Sequence, residues 1–390
     1  MRIVDVCAFY APRGGGVKTY VERKLQAGAE AGHEVIILAP SDRSETVRAT
    51  GGGRIVMLPA RRFPLDRRYH YFDNELSLHQ ALDHLKPDLV EASSPWSSAS
   101  MVARWRGDAP RALIMHADPL SAYAYRWFGS FASRGAIDRG FDWFWRHLRR
   151  LDARFDMVVS ASESLSIRLR RGGLRHVATL PMGVEPGYFT PALRDEALRT
   201  QLLGRCGLRP DATLLIGVGR HAPEKRWPLV IDAVTTAGYQ TPVGLVLVGD
   251  GRERQKVWRA AANNPHIQLL APITDRRQLA RLLASADALV HGCEAETFCM
   301  VGAEAAASGL PLIVPDQGGA ADHAAAYPNL RYAAGQADAL AAAILSLAQD
   351  YASRAAQAVQ AAAHVRTMDD HFAALFSAYG HMKLEPRHAA

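Results

Sequence analysis

No apolar run in this chain of 390 residues approaches the roughly 20 residues needed to cross a bilayer. Cysteine is scarce. The four present (Cys7, Cys206, Cys293, Cys299) show neither a CxxC pair nor a zinc-finger spacing, and they read as free thiols of a cytoplasmic protein. No Asp-x-Asp triplet occurs anywhere. The N-terminus, MRIVDVCAFYAPRGGG, lacks the long apolar core of a signal peptide. Asp5 interrupts it and glycines end it, so it reads as a first strand. Low-complexity tracts and short repeats are also missing, apart from an Ala-rich run over 337–363 that suits helix.

Acid is short in one half only. Residues 1–195 hold 28 Lys+Arg against 21 Asp+Glu, whereas residues 196–390 hold 18 of each, so the excess of +7 sits in the first half. A basic half fits an anionic partner such as nucleic acid, a membrane surface or a phosphorylated acceptor; a plain solvated face fits equally. No nucleic-acid module accompanies the charge, and no nucleic-acid partner is expected.

What is present is alternation. Apolar runs RIVDVCAF, EVIILAP, RIVMLPA, DLVEASS, RALIMHA and DMVVSAS, then TLLIGVGR, GLVLVGD, IQLLAP, ALVHGC and PLIVPD, are separated by segments of helical period such as VKTYVERKLQAGAEAG and NELSLHQALDHL. That pattern predicts α/β architecture, with parallel sheets covered by helices. It occurs twice, and a Pro/Gly-rich stretch containing Pro186, Gly187, Pro191, Gly204, Gly207 and Pro210 divides the halves. A chain of this length exceeds one ordinary core. The predicted division is 1–183 and 184–369, two Rossmann-like domains facing across a cleft.

Ligands of such sheets bind beyond the carboxyl ends of the strands, so the residues there carry the chemistry. Gly14, Gly15 and Gly16 follow the first strand and open a helix; they serve an anion or a plain tight turn. The spacing is not GxGxxG and no ribose-binding acid follows, which disfavours an oxidoreductase. His116 ends a strand, as a structural or a functional histidine. Arg220 and Lys225 share a loop suited to a diphosphate, or to solvent. In HGCEAETFCMVGAEAAASGLPL the loop enters a helix near Phe298 to Val301. Its first N–H groups suit an anion, with Glu296 for sugar hydroxyls and Glu304 for those of a ribose.

Taken in order, the Gly-rich loop, HAD, VSASESL, LPMGVEPGYF, GRHAPEKR, LVGDGRER, the E-x7-E segment AETFCMVGAEAAASGLP and PDQGG resemble the GT-B retaining glycosyltransferases of family 4, over roughly residues 1–370. The resemblance implies an N-terminal acceptor-binding domain and a C-terminal nucleotide-sugar-binding domain, with a helix over about 370–390 packing back on the first. It implies catalytic roles for His116, Arg220, Lys225 and Glu296. The nucleotide sugar would also be held by Gly15, Gly16, Thr297, Phe298, Cys299, Met300, Val301 and Glu304. Neither a cofactor nor a metal is expected, because cations and a helix dipole stabilise the leaving group. The expected donor is a UDP-sugar, with GDP-mannose as an alternative. An epimerase or phosphorylase of the same fold and a non-catalytic nucleotide-sugar sensor are the rivals. Cys299 and Arg226 stand where the family often has Gly, and Asp322 where it has Glu.

The acceptor reading rests on two basic, aromatic stretches. ARRFPLDRRYHYF (60–72) holds five basic residues, counting His70, and four aromatics. Residues 136–155 read as a helix with Ile137, Phe141, Trp145, Leu148 and Leu151 on one face and Arg139, Arg146, Arg150 and Arg154 elsewhere. Such a helix packs in its domain or lies on an anionic membrane. A lipid or glycan acceptor, at the inner face of the cytoplasmic membrane, is the expectation.

Overall fold

Every run read as a strand is one in the structure, a computed structural model that describes residues 1–10, 16–49, 51–63, 69–116, 134–325 and 328–384 and positions 118, 120, 124, 128 and 131. Strands are numbered along the chain. The first sheet holds β1 (Arg2–Val6), β2 (Glu34–Ser41), β3 (Glu45–Arg48), β4 (Arg54–Pro59), β7 (Leu89–Ala92), β8 (Arg111–Met115), β9 (Met157–Ser160) and β10 (Val177–Thr179). Their order is β10-β9-β8-β7-β1-β2-β4-β3. All pairs are parallel except β3 on β4, at the edge. β5 (Arg61–Arg62) and β6 (His70–Tyr71) form a separate antiparallel pair.

The second sheet holds β11 (Thr213–Val218), β12 (Val243–Val248), β13 (Ile267–Leu270), β14 (Ala288–Val290), β15 (Leu312–Pro315) and β16 (Leu330–Tyr332). All are parallel, in the order β13-β12-β11-β14-β15-β16. Continuous apolar strands of this kind are buried on both faces, as parallel sheets require; Val243–Val248 is buried throughout. In each sheet the strand order reverses once, between β1 and β7 and between β11 and β14. Those reversals open the crevices in which ligands lie.

Helices fall where the 3.6-residue period places them, at Gly16–Glu30 and Glu75–Leu85 among others. Asn74 caps the second by accepting from Ser77 N at 3.0 Å. One expectation is corrected. Residues 136–155 form two helices, Arg134–Gly140 and Asp142–Asp152, broken at Gly140–Phe141. Glycine favours that break, and Phe144 joins Trp145, Leu148 and Leu151 on the buried face.

The C-terminal helix Met368–Leu384 lies on the first sheet, with Phe372, Leu375, Phe376 and Tyr379 in one apolar cluster with Ile3, Val35 and Ile37. The chain crosses between the sheets at Val184 and again at Thr367, and the crossings pair side by side, with Met368 N donating to Val184 O at 2.8 Å. A buried ionic cluster fixes this helix. Lys24 bonds Asp5 at 3.1 Å and also Glu91, which accepts from Tyr379 Oη. Removing one partner from a buried cluster of this kind strands an uncompensated charge. Among the described residues no helix is long and apolar enough to cross a membrane.

Candidate active site

The strand reversal between β11 and β14 brings two loops together. After β11 the chain passes Arg220, a 3-10 turn over Pro223–Lys225 and the helix Trp227–Gly238; after β14 it passes His291 to Cys299 and enters the helix Met300–Ala307. Glycine permits the close approach. A Cβ at Gly292 would meet Lys225 O at 2.6 Å, and one at Gly319 would meet Phe298 N at 2.7 Å. The GG pair after β15 thus packs its backbone directly on the Glu296 loop, and Gly319 N donates to Glu296 O at 2.7 Å.

Lys225 and Glu296 meet here in an ion pair, their side chains only 15% and 20% exposed. Burial disfavours charge on Glu296, yet His291 and Lys225 more than offset it and hold the carboxyl far below the usual carboxylate range. His291, fully buried at the end of β14, stands with Nε2 3.2 Å from the same Glu296 oxygen. Arg220 behaves differently. Its carbonyl accepts from Trp227 Nε1 at 3.0 Å, while its side chain is 79% exposed and reaches Glu224 at 3.3 Å. The two cations of one loop are therefore divided, one largely buried on Glu296 and one exposed and paired with Glu224.

The helix Met300–Ala307 starts at Cys299, which holds φ 69. First-turn amides such as those of Met300 and Val301 have no intrahelical acceptor. Glu304 lies one turn in, 8% exposed, and accepts from Arg276 at 3.1 Å. Burial pushes its pKa up to about 7 against the pull of Arg276.

The first sheet supplies His116 at the end of β8. Its carbonyl accepts from Thr297 Oγ1 at 3.1 Å, a contact between the two sheets' loops. Its ring meets Tyr20 edge-on at 5.1 Å, and Tyr20 Oη bonds His371 Nε2 of the C-terminal helix at 3.0 Å. Burial and then Lys24, opposed by Asp5, bring the His116 pKa down to about 4, so the imidazole is neutral at physiological pH. Beside Glu296 and Thr297 opens a cleft of about 900 Å³, walled by Asp138, Arg139, Arg168 and Arg171 on one side and by Asp316 and Gln317 on the other.

Of the residues singled out by sequence, His116, Lys225, Glu296 and Thr297 come together. Gly16 begins the first helix; Gly15 lies outside the described residues. The Phe298 side chain is 6% exposed, packed in the apolar cluster of the second sheet and edge-on to His323 at 4.7 Å. Asp322 accepts from Ser164 N at 3.0 Å at the start of the helix Glu163–Arg171, tying the second sheet's loops to the first.

The two departures from glycine are explained by backbone angle. Arg226 and Cys299 have φ 50 and 69, the left-handed region that favours Gly. Arg226 compensates by a two-pronged contact with Glu294, Nε to Oε2 at 2.8 Å. Sequence reasoning passed over His291, Glu294, Arg276 and Tyr20. His291 alone carried a signal, since like His116 it directly follows a strand.

Residues 204–364 match the family described as Glycosyl transferases group 1, and residues 14–188 match Glycosyltransferase Family 4. A GDP-mannose-dependent alpha-mannosyltransferase of Mycobacterium tuberculosis is 32% identical over 334 residues, covering 83% of this chain and 81% of that protein. A GDP-mannose-dependent alpha-(1-6)-phosphatidylinositol dimannoside mannosyltransferase of the same species is 30% identical, with 80% and 79% covered. Among solved structures, sucrose-phosphate synthase from Thermosynechococcus elongatus superposes with a TM-score of 0.76 over 98% of this chain and 99% of that one, at 19% identity. The Anabaena protein HepE, solved with UDP, gives 0.71 over 98% and 100% at 16% identity, a likeness of fold. Two matched segments, relatives aligned over most of both chains, and paired parallel sheets closing on one cleft lead to one conclusion: the chain belongs to the family 4 glycosyltransferases of GT-B fold and is a hexosyltransferase.

Proposed function

We propose that the chain transfers mannose from GDP-mannose to a hydroxyl of a lipid-linked or glycan acceptor, with retention of anomeric configuration and without a metal in the chemical step. The observation that carries the proposal is the meeting of Lys225 and Glu296 at the strand reversal of the second sheet, opposite His116 of the first. Lys225, Arg220 and the amides at the start of Met300–Ala307 are cationic or donor groups converging where a diphosphate fits. Glu304 suits the ribose, and Glu296 with the neutral His116 suits the sugar. GDP-mannose takes precedence over the UDP-sugar that sequence grounds favour, because both relatives aligned above are named for it.

Retention follows from a front-face exchange. The bond from anomeric carbon to diphosphate breaks as the acceptor oxygen bonds the same face, and the acceptor proton passes to the departing phosphate oxygen. Lys225 and Arg220 stabilise the charge that develops there. Glu296, held ionised by Lys225, binds sugar hydroxyls rather than attacking the anomeric carbon. The acceptor enters by the 900 Å³ cleft. Exposed Phe128, Phe131 and Trp143 stand near exposed Arg139, Arg146 and Arg150, a set suited to an anionic membrane.

A thermal-shift screen with GDP-mannose, UDP-glucose and ADP-glucose tests the donor, and NMR of the product's anomeric proton tests retention. Stabilisation by a UDP-sugar alone, an inverted product or a sugar trapped covalently on a side chain defeats the corresponding part. Sedimentation with anionic and with neutral vesicles tests the membrane: equal, negligible binding removes it.

A further inference from the structure

Nine residues, HGCEAETFC (291–299), carry five side chains of metal-ligating type: His291, Cys293, Glu294, Glu296 and Cys299. Folding gathers three of them. One donor atom each from His291, Glu296 and Cys299 lies within 4.8 Å of the others. We propose that these three residues form an inhibitory site for a thiophilic divalent cation, Zn²⁺ above all, which closes the transferase by drawing Glu296 away from Lys225. The inhibitory effect rests on the proposed donor site; the binding itself does not.

Three observations point to a cation. First, His291 is fully buried, its Nε2 stands 3.2 Å from Glu296 Oε1, and among the described residues its Nδ1 has no hydrogen-bond partner. The Nε2 nitrogen is thus already aimed at the carboxylate, and a metal between them would take both as ligands. Second, Cys299 keeps a thiol at φ 69, where glycine would sit without strain, and this residue, 3% exposed, has its Sγ beside the donor atoms of His291 and Glu296. Third, Glu296 already holds a cation, the ammonium of Lys225. The place suits positive charge, and the metal and Lys225 compete for one carboxylate.

The donor set selects the ion. Around tetrahedral Zn²⁺, with bonds of about 2.0–2.3 Å, ligand atoms stand about 3.3–3.8 Å apart, so small side-chain rotations close the site. Imidazole, carboxylate and thiolate suit Zn²⁺ or Co²⁺, whereas Mg²⁺ prefers oxygen and keeps its waters. Binding replaces the Cys299 thiol proton, which leaves to solvent; thiolate and carboxylate then balance the two charges of the ion. Glu296 faces the 900 Å³ cleft, which provides entry. A metal in this place is an antagonist and agrees with a chemical step that needs none.

Co²⁺ alone, titrated into the full chain, reads the site directly. We expect saturable visible bands of tetrahedral Co²⁺ with a near-ultraviolet thiolate band, both displaced by Zn²⁺. Cys299→Gly suits the left-handed backbone and so keeps the fold. It should lose the thiolate band and raise the Zn²⁺ concentration for half-inhibition at least tenfold, and Cys206→Ser should change neither. Zn²⁺ inhibition should be competitive with the nucleotide sugar and reversed by EDTA. Absence of the Co²⁺ spectrum, its persistence in Cys299→Gly, or unchanged Zn²⁺ inhibition in that variant overturns the inference. If GDP-mannose is not turned over but the spectrum appears, the donor reading falls and the metal site stands.

Discussion

Glu296→Gln should bind GDP more tightly than the wild type, although Glu296 belongs to the site. Lys225 is held by this carboxylate, so an arriving diphosphate must draw the ammonium away or share it. Two unit charges about 4 Å apart at an effective dielectric of about 20 attract by about 4 kcal/mol. Partial exposure and sharing of the ammonium reduce the net change to about 1–2 kcal/mol. Glutamine keeps the shape and removes the charge, so GDP should bind about 5- to 30-fold more tightly. Lys225→Met has the opposite sign. It removes a charge-assisted contact and leaves Glu296 without its cation, so GDP should weaken by about 2–4 kcal/mol. Isothermal titration of GDP into the wild type, both variants and the double variant tests the coupling. The gain from Glu296→Gln should vanish in the Lys225→Met background. If Glu296→Gln weakens GDP as much as Lys225→Met does, the carboxylate is not competing for the ammonium and the assigned roles fail.

Glu304, whose pKa burial raises to about 7, keeps a proton in the folded chain that the unfolded chain loses near 4.5. Stability should therefore fall as pH rises between those values, by about 1.4 kcal/mol per unit at most and about 3 kcal/mol in all. Glu304→Gln should match the wild type in denaturant melts near pH 4.5 and exceed it at pH 8; parallel pH curves would count against the buried carboxyl. Gly319→Ala places a Cβ 2.7 Å from the Phe298 backbone. It should cost about 1–3 kcal/mol and weaken GDP-mannose at least tenfold, and wild-type melting and titration curves would contradict the packing. Asp322→Ala removes the acceptor at the start of Glu163–Arg171 and should cost about 1 kcal/mol by thermal melt, whereas Asp322→Asn should recover part of it.

The main strands were legible because parallel sheets bury both faces and leave continuous apolar runs. β3 (ETVR) and β10 (VAT) were not: they are edge strands, short and incompletely buried, and nothing in their composition separates them from loop. That Lys225 and Glu296 lie in loops after strands was legible. Their pairing was not, since it depends on which strands are neighbours, and β11 and β14 are more than 70 residues apart. Phe298 shows the converse limit. Its place beside polar, charged residues gave no sign of burial, yet this aromatic side chain just before a helix start is turned into the core. Arg226 and Cys299 were visible as departures from glycine, and only the backbone angles show that each occupies a position where a side chain is strained.

The site's charged side chains are paired with one another: Lys225 with Glu296, Arg226 with Glu294, Arg220 with Glu224 and Arg276 with Glu304. Such pairing lets a cleft rich in charge remain folded, because a buried charge without a partner costs several kcal/mol. It also bears on which ligand is accepted. A bare nucleoside diphosphate satisfies Lys225 and leaves Glu296 without its cation. On the proposed roles, a nucleotide sugar would satisfy Lys225 with phosphate and Glu296 with sugar hydroxyls, so that both groups displaced from their internal pair would regain a partner. Discrimination between the two rests on the group that would otherwise be left unpaired. On those roles the carboxylate that attracts the lysine would oppose the departed nucleotide and favour the loaded donor, the bias a transferase needs in order to release its product and bind again.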